Sequence, residues 1–354
     1  MFFYGGDMRG FCFVAIIVLL CSCSQKGLTE YDLPEECGGK CEIADDANSF
    51  YDALVNSAAA FSNCVCLGSG VFEADARVGK SLKIIGRKDG SSYLKNLIVS
   101  DARDVFLHDF SFKGLFLSSA ALSISGSSVE IDNVSFSDIS AASVSGGRGI
   151  VISGNASEVV IKNSKIEKTD GTGILINGPH KVSLENVALS QCGFAGVWVQ
   201  NRSMKSGSLS VENSTFAGNG AVALEILGDT VLKVSDSVVS DIKKREMMLE
   251  SVGDGIVVKN RLLSEKDSVV VSNTSIENFS RAGIILDGND SISQVKASFS
   301  DLSISSDRGS FGLVVQNGVE NPALREGIVL NDFSSSDGKL DEALFIIDDF
   351  FEIQ

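Results

Sequence analysis

Residues 161–176 read IKNSKIEKTDGTGILI, residues 184–199 read LENVALSQCGFAGVWV and residues 211–226 read VENSTFAGNGAVALEI. Each opens on one phrase: an apolar residue, one residue of any kind, Asn or Asp, two more residues and another apolar one. The phrase recurs at Val234-Ser235-Asp236 and Val271-Ser272-Asn273. A second apolar strand begins eleven residues after Asn163, Asn186, Asn213 and Asn273, at Ile174, Val197, Leu224 and Ile284. A fixed internal period of roughly 20–50 residues marks a repeat architecture. Alignment outward adds Leu107-His108-Asp109, Ile131-Asp132-Asn133, Phe299-Ser300-Asp301 and Leu330-Asn331-Asp332. Positions 109, 133, 163, 186, 213, 236, 273, 301 and 332 are then separated by 24, 30, 23, 27, 23, 37, 28 and 31 residues. One interval is one coil of an all-β solenoid, and coils stacked at about 4.8 Å make a rod on the order of 40 Å long. The longer intervals mark loops at residues 141–147 and 241–251.

Upstream of the repeats the chain changes character. Residues 11–20, FCFVAIIVLL, follow Arg9 and match the short apolar core of a secretory signal, with Met1 or Met8 as its start. The run closes on Leu20-Cys21-Ser22-Cys23. The division expected is a signal peptide over 1–22, a tether with the first cysteines over 23–44, and one repeat domain with its caps over 45–354. Export implies a compartment in which disulfides persist, and Cys37, Cys41, Cys64 and Cys66 allow three pairings that remain open. A metal reading of these four is disfavoured because neither histidine lies nearby. Cys192 is left over and reads as a small buried residue. Residues 45–61 carry apolar positions at helical spacing (Phe50, Leu54, Ala58) and predict a helix across the open end, where a repeat array needs a cap. Residues 340–351, LDEALFIIDDFF, are expected to close the far end.

A short helix, a strand at CVCLG, the phrase Gly70-Val71-Phe72 and GKSLKIIG at 79–86 together resemble the entry into right-handed parallel β-helix proteins of the pectin-lyase-like superfamily. Leu20-Cys21-Ser22-Cys23 resembles the bacterial lipobox, which implies a lipid on Cys23. By the sorting rule of enteric lipoproteins, Ser24 implies the outer membrane, facing the periplasm or the surface. Enzymes of the superfamily act on acidic polysaccharides, some with Ca²⁺ held by an Asp cluster. The sequence has no G-H-G or R-x-K motif and no Asp cluster in register with an Arg, so the resemblance does not carry a catalytic set with it.

The Asn/Asp column (Asp109, Asn133, Asn163, Asn186, Asn213, Asp236, Asn273, Asp301) reads as a structural ladder, side chains bonding from coil to coil at a turn. His108 and His180 stand three coils apart, roughly 14 Å, too far to cooperate, and read as surface residues. Glu185 and Glu212 fall on adjacent coils within about 5 Å of one another, near a retaining glycosidase's carboxylate separation; they are the weak catalytic candidates, against a plain acidic strip softened by Lys162. On the apolar strands the flanking residues point inward, so Val151, Leu175, Trp198, Glu225, Val257, Ile285 and Val314 point out. Such a stripe is expected to be covered by a loop such as 241–251, or to form a glycan or protein contact with Trp198 as platform beside Gln200, Glu225 and Asp287. Asp287-Gly288-Asn289-Asp290 is a turn that would suit Ca²⁺; no other metal or cofactor is implied. With 46 acidic and 30 basic residues, a net charge of −16, nucleic acid is excluded as a partner. The expected function is a lipid-anchored surface module, structural or binding a glycan or an envelope protein. The alternative is a diverged polysaccharide lyase or glycoside hydrolase.

Overall fold

The computed structural model describes residues 37, 41–59, 63–116, 120–141, 146–247, 250–259, 269–288, 296–309, 311–316, 323–324, 329–331 and 344–347. Cys23, the signal-like run, most of the tether, Asn289 and Asp290 lie outside the described residues. The chain is a right-handed parallel β-helix with three faces. The first face stacks Ser128–Asp132, Glu158–Lys162, Lys181–Glu185, Gly207–Glu212 and Thr230–Ser235. The second stacks Ser135–Ala141, Lys165–Thr169, Ala188–Ser190, Thr215–Ala217 and Val238–Ser240. The third stacks Arg148–Ser153, Ile174–Asn177, Ala195–Asn201, Val222–Gly228, Asp254–Lys259, Ala282–Asp287 and Phe311–Gln316. Val269–Glu277 and Ala297–Ser305 each bend to serve the first and second faces in turn.

The Asn/Asp phrase makes the corner between the first two faces. Asp109, Asn133, Asn163, Asn186, Asn213, Asp236, Asn273 and Asp301 all have φ between 42° and 60°, the left-handed conformation that Asn and Asp tolerate best among residues with a Cβ. Their backbone N–H groups are used along the rod: that of Asn163 donates to Glu185 O and that of Asn186 to Glu212 O, both at 3.0 Å. The side-chain ladder is less regular than the sequence implies. Asn133 donates to Asp109, Asn186 Nδ2 to Asn163 Oδ1 at 2.8 Å and Asn273 Nδ2 to Asp236 Oδ1 at 2.6 Å, but Asn163 Nδ2 turns to Asp132 Oδ1 at 2.8 Å.

Inward residues on either side of this corner fill the rod, with Ile161, Leu184, Val211 and Val271 at most 1% exposed, and Phe112 stacks on Phe136 at 4.8 Å. A second column runs just inside the ladder. Ser164, Ser214 and Ser237 accept the N–H groups of Val134, Val187 and Ser214 and donate to Lys162 O, Glu212 O and Ser235 O, so hydroxyls satisfy the backbone where the bend breaks the sheet.

The N-terminal end is capped by a helix, Ala47–Ala59. Asp46 is its N-cap: Asp46 Oδ1 accepts the Ser49 N–H at 2.7 Å while Ser49 Oγ accepts the Asp46 N–H at 2.9 Å. Phe50 drops from the helix into the end of the core against Phe72, with ring centroids 5.9 Å apart. Strands begin earlier than Cys64: Glu42–Ala44 pairs in parallel with Val65–Leu67. Of the three pairings open in the sequence, the disulfides present are Cys37–Cys66 and Cys41–Cys64. At the far end, Leu344–Ile347 pairs with Leu313–Gln316.

Candidate functional site

The third face carries the candidate site. Before its apolar strands runs a column of small residues, Gly149, Gly173, Gly196, Gly255 and Gly283, each pressed against the next coil. A Cβ on Gly173 would lie 2.7 Å from Gly196 O, and one on Gly196 2.6 Å from Ala223 O. The strand pairing skips Gly149, Gly196, Gly255 and Gly283 without a change of register, and outward positions follow each of them. Those in mid-strand are in register, Val151, Leu175, Trp198, Glu225, Val257, Ile285 and Val314, as the alternation predicts.

This stripe is mostly covered. Leu175 is buried, and Val257, Ile285 and Val314 are buried and form a second apolar cluster outside the rod with Ala195, Val222 and Ala282, against which Phe194, Trp198 and Phe311 pack. The 241–251 loop contributes an antiparallel hairpin, Arg245–Met247 with Glu250–Val252. Its Arg245 donates to Gly193 O and sits 5.8 Å from the Phe194 ring centroid. Phe194 in turn meets Trp198 edge to face at 4.9 Å. Trp198, Gln200, Glu225, Leu227, Lys259 and Arg281 remain half-exposed beside the covered strip and outline a candidate mouth on this face.

Charged groups the sequence reading did not connect meet there. Asp254 is buried on the coil after Glu225, and Arg281 grips both its oxygens, Nε to Oδ1 at 2.9 Å and Nη2 to Oδ2 at 2.5 Å. Burial holds the Asp254 carboxyl above its ordinary range, with Arg281 opposing. Burial likewise raises Glu225, the nearby Lys259 and Arg281 opposing and Asp254 adding to the shift. The signal that links Asp254 to Arg281 is their place just before Gly255 and just before Ala282-Gly283, visible only once the glycine column fixes the register.

The remaining candidates are dispersed. Glu185 and Glu212 are register partners on the first face, both exposed on an open sheet surface. Asp287 is 6% exposed and accepts the Gln316 side-chain amide at 3.0 Å, so its carboxylate is already engaged by a neighbouring coil. A groove of 460 Å³ follows the ladder past Asp236, Asn273 and Asp301. His180 is buried, not on the surface: Nδ1 accepts the Ser157 N–H and Nε2 donates to Asn177 O, each at 3.0 Å. That fixes a neutral ring, and burial pushes its pKa down. His108 is half-buried, Nδ1 3.0 Å from Asp132 O and Nε2 3.1 Å from Asp109 Oδ2. Among the described residues, the sulfurs of Cys41, Cys64 and Cys66 are close enough to share an ion, but the disulfides use all three.

A family profile described as "Right handed beta helix region" matches residues 87–261 and 148–309. Among curated proteins none matches the chain by sequence. Solved structures that resemble it include an alginate lyase from Paenibacillus sp. str. FPU-7, at 11% identity and a TM-score of 0.52, covering 82% of this chain and 97% of that one. The catalytic unit of a GH87 alpha-1,3-glucanase from Streptomyces thermodiastaticus strain HF3-3 matches at 14% identity and 0.49, over 88% and 67%. The Streptococcus pneumoniae surface protein and adhesin PfbA matches at 13% and 0.45, over 87% and 97%. At these identities the likeness is one of fold.

Proposed function

The chain belongs to the right-handed β-helix family, and from that premise we propose that it is an exported binding module of the bacterial envelope. On this reading a lipid on Cys23 holds it to the outer membrane, and the mouth on the third face recognises a glycan or a protein without turning it over. One observation carries the preference for binding over catalysis. Beside Glu225 the enclosed carboxylate is Asp254, and Arg281 occupies both of its oxygens, so among the described residues Glu225 lacks the free second carboxylate that two-carboxylate hydrolysis uses.

A glycan array probed with the full chain in a sugar-free detergent, with and without Ca²⁺ and with product analysis of every hit, tests this. Binding that leaves the glycan intact and is lost in Trp198→Ala is the expected result; cleavage products overturn it. The anchor has its own test, incorporation of labelled palmitate that Cys23→Ser abolishes. The second reading, a diverged lyase or hydrolase, is favoured by Glu225 itself, since burial raises its pKa toward that of a general acid. On that reading Glu225→Gln abolishes turnover and leaves binding intact.

A further inference from the structure

We infer that the N-terminal cap rests on a bilayer of zwitterionic lipid, so that the rod stands on its end; the inference rests on the lipid anchor read at Cys23. Six large apolar side chains are exposed among the described residues, and four of them, Ile43, Tyr51, Val55 and Val71, belong to this end. Exposed apolar residues scattered singly are ordinary, but these converge. Helix Ala47–Ala59 turns Phe50, Ala53 and Ser57 into the rod, so Tyr51 and Val55, one turn apart, look away from it, Val55 at 70% exposure. Ile43 lies on Glu42–Ala44 and Val71 on Gly70–Val78, the outermost described strands of the first and second faces. Apolar groups therefore stand on the helix and on two sides of the rim around it.

The course of the chain says what covers them. It enters the rod at this end, where Cys37 and Cys41 are bonded to Cys66 and Cys64 on the strand beside Glu42–Ala44. The stretch from Cys23 to Cys37 extends no more than about 50 Å, so an acyl group on Cys23 keeps the cap, rather than the far end, next to the membrane. A flat protein partner would meet the helix and miss the rim, whereas a headgroup layer yields to a depth of about 5–10 Å and takes up both. Charge selects the lipid. Asp45, Asp46, Asp52, Glu73 and Asp75 are exposed at this end against Arg77, and Lys80 is turned onto Leu54 O at 2.8 Å. An anionic leaflet repels that surface, while a zwitterionic headgroup offers it an ammonium group. Standing on its cap, the rod lifts the third-face mouth clear of the headgroups: five coil steps from Val78 to Val199 raise Trp198 by about 24 Å.

The test places the full lipidated chain in vesicles of phosphatidylcholine that carries a photoactivatable diazirine near the top of one acyl chain, and maps the lipid adducts by mass spectrometry. The expected result is adducts on residues 42–59 and 70–78 at about tenfold the yield on Ala282–Asp287, the ratio that burying one apolar side chain supports. Val55→Ser, at a position too exposed to disturb the fold, should lower the cap's yield about tenfold, and exchange of phosphatidylcholine for phosphatidylglycerol should lower it too. Labelled palmitate on Cys23 with adducts spread evenly along the rod overturns the docked cap and leaves the anchor standing. Cross-links joining Tyr51 of two copies in place of lipid adducts also overturn it, since the end would then be a contact between copies. A yield that rises with phosphatidylglycerol overturns the choice of zwitterionic lipid. Absence of palmitate takes away the anchor and this inference with it.

Discussion

At Asn186 one side chain does two separable jobs. Its φ of 55° needs a residue that tolerates the left-handed region, and its amide donates to Asn163 Oδ1 at 2.8 Å. Asn186→Gly keeps the first and loses the second, a cost of about 1 kcal/mol. Asn186→Ala loses both, about 2 kcal/mol or more once left-handed strain is added. Denaturant midpoints of the two variants check this, and equal losses would remove the conformational half of the argument. Glu225 makes a prediction in pH. Burial raises its folded pKa above the ordinary 4.5, so its contribution to stability is fully present below that value and is lost as pH rises through the folded pKa. Glu225→Gln titrates in neither state. The variant should therefore melt above the wild type at neutral pH, with the difference closing as pH falls below 4.5. A difference independent of pH would show that the carboxylate is not desolvated.

Among the elements, the third-face strands are set by a glycine the apolar pattern alone does not explain. A methyl on Gly173 would meet Gly196 O at 2.7 Å and Cys192 Sγ at 3.0 Å, and backbone oxygen in a stacked coil cannot move aside cheaply. Gly173→Ala should cost about 1–3 kcal/mol through overpacking, read as a fall in melting temperature; an unchanged melting temperature would mean the coils can slide apart there. The corner phrase and the apolar strands were legible in the sequence because each recurs at one place in every coil, and period survives loops of different length. Alternation alone turns Trp198, Glu225 and Val257 outward, and their register agrees. The cover was not legible: whether Val314 faces solvent depends on what lies over it, and it is fully buried. Nor was the Asp254–Arg281 pair, because two residues 27 apart in sequence meet only when the coils stack in register. His180 escaped for a related reason, since a residue outside the repeating phrase carries no phase to say which way it points.

For the rod as a whole, the strands of each coil pair only with those of its neighbours, and the Arg245 contact with Gly193 and Phe194 reaches one coil further, so stability is largely a sum of local terms and damage stays local. The disulfides Cys37–Cys66 and Cys41–Cys64 close loops of 29 and 23 residues, both onto the same strand, Cys64–Leu67. In the chain-entropy view each contributes about 3–4 kcal/mol, a large share of what holds a three-residue strand and a single helix on the end. Reduction should therefore release the cap without melting the rod. Hydrogen exchange under dithiothreitol should accelerate through Glu42–Ala44, the helix and Cys64–Leu67, while Lys181–Glu185 and Val269–Glu277 keep their protection. On removal of the reductant the same disulfides should re-form, because the remaining described thiol, Cys192, is buried with its pKa pushed up to about 11 and supplies almost no thiolate for exchange. Exchange that rose evenly along the whole chain would mean that the cap and the coils unfold as one cooperative unit. The N-terminal cystines would then be holding the entire molecule rather than closing its end.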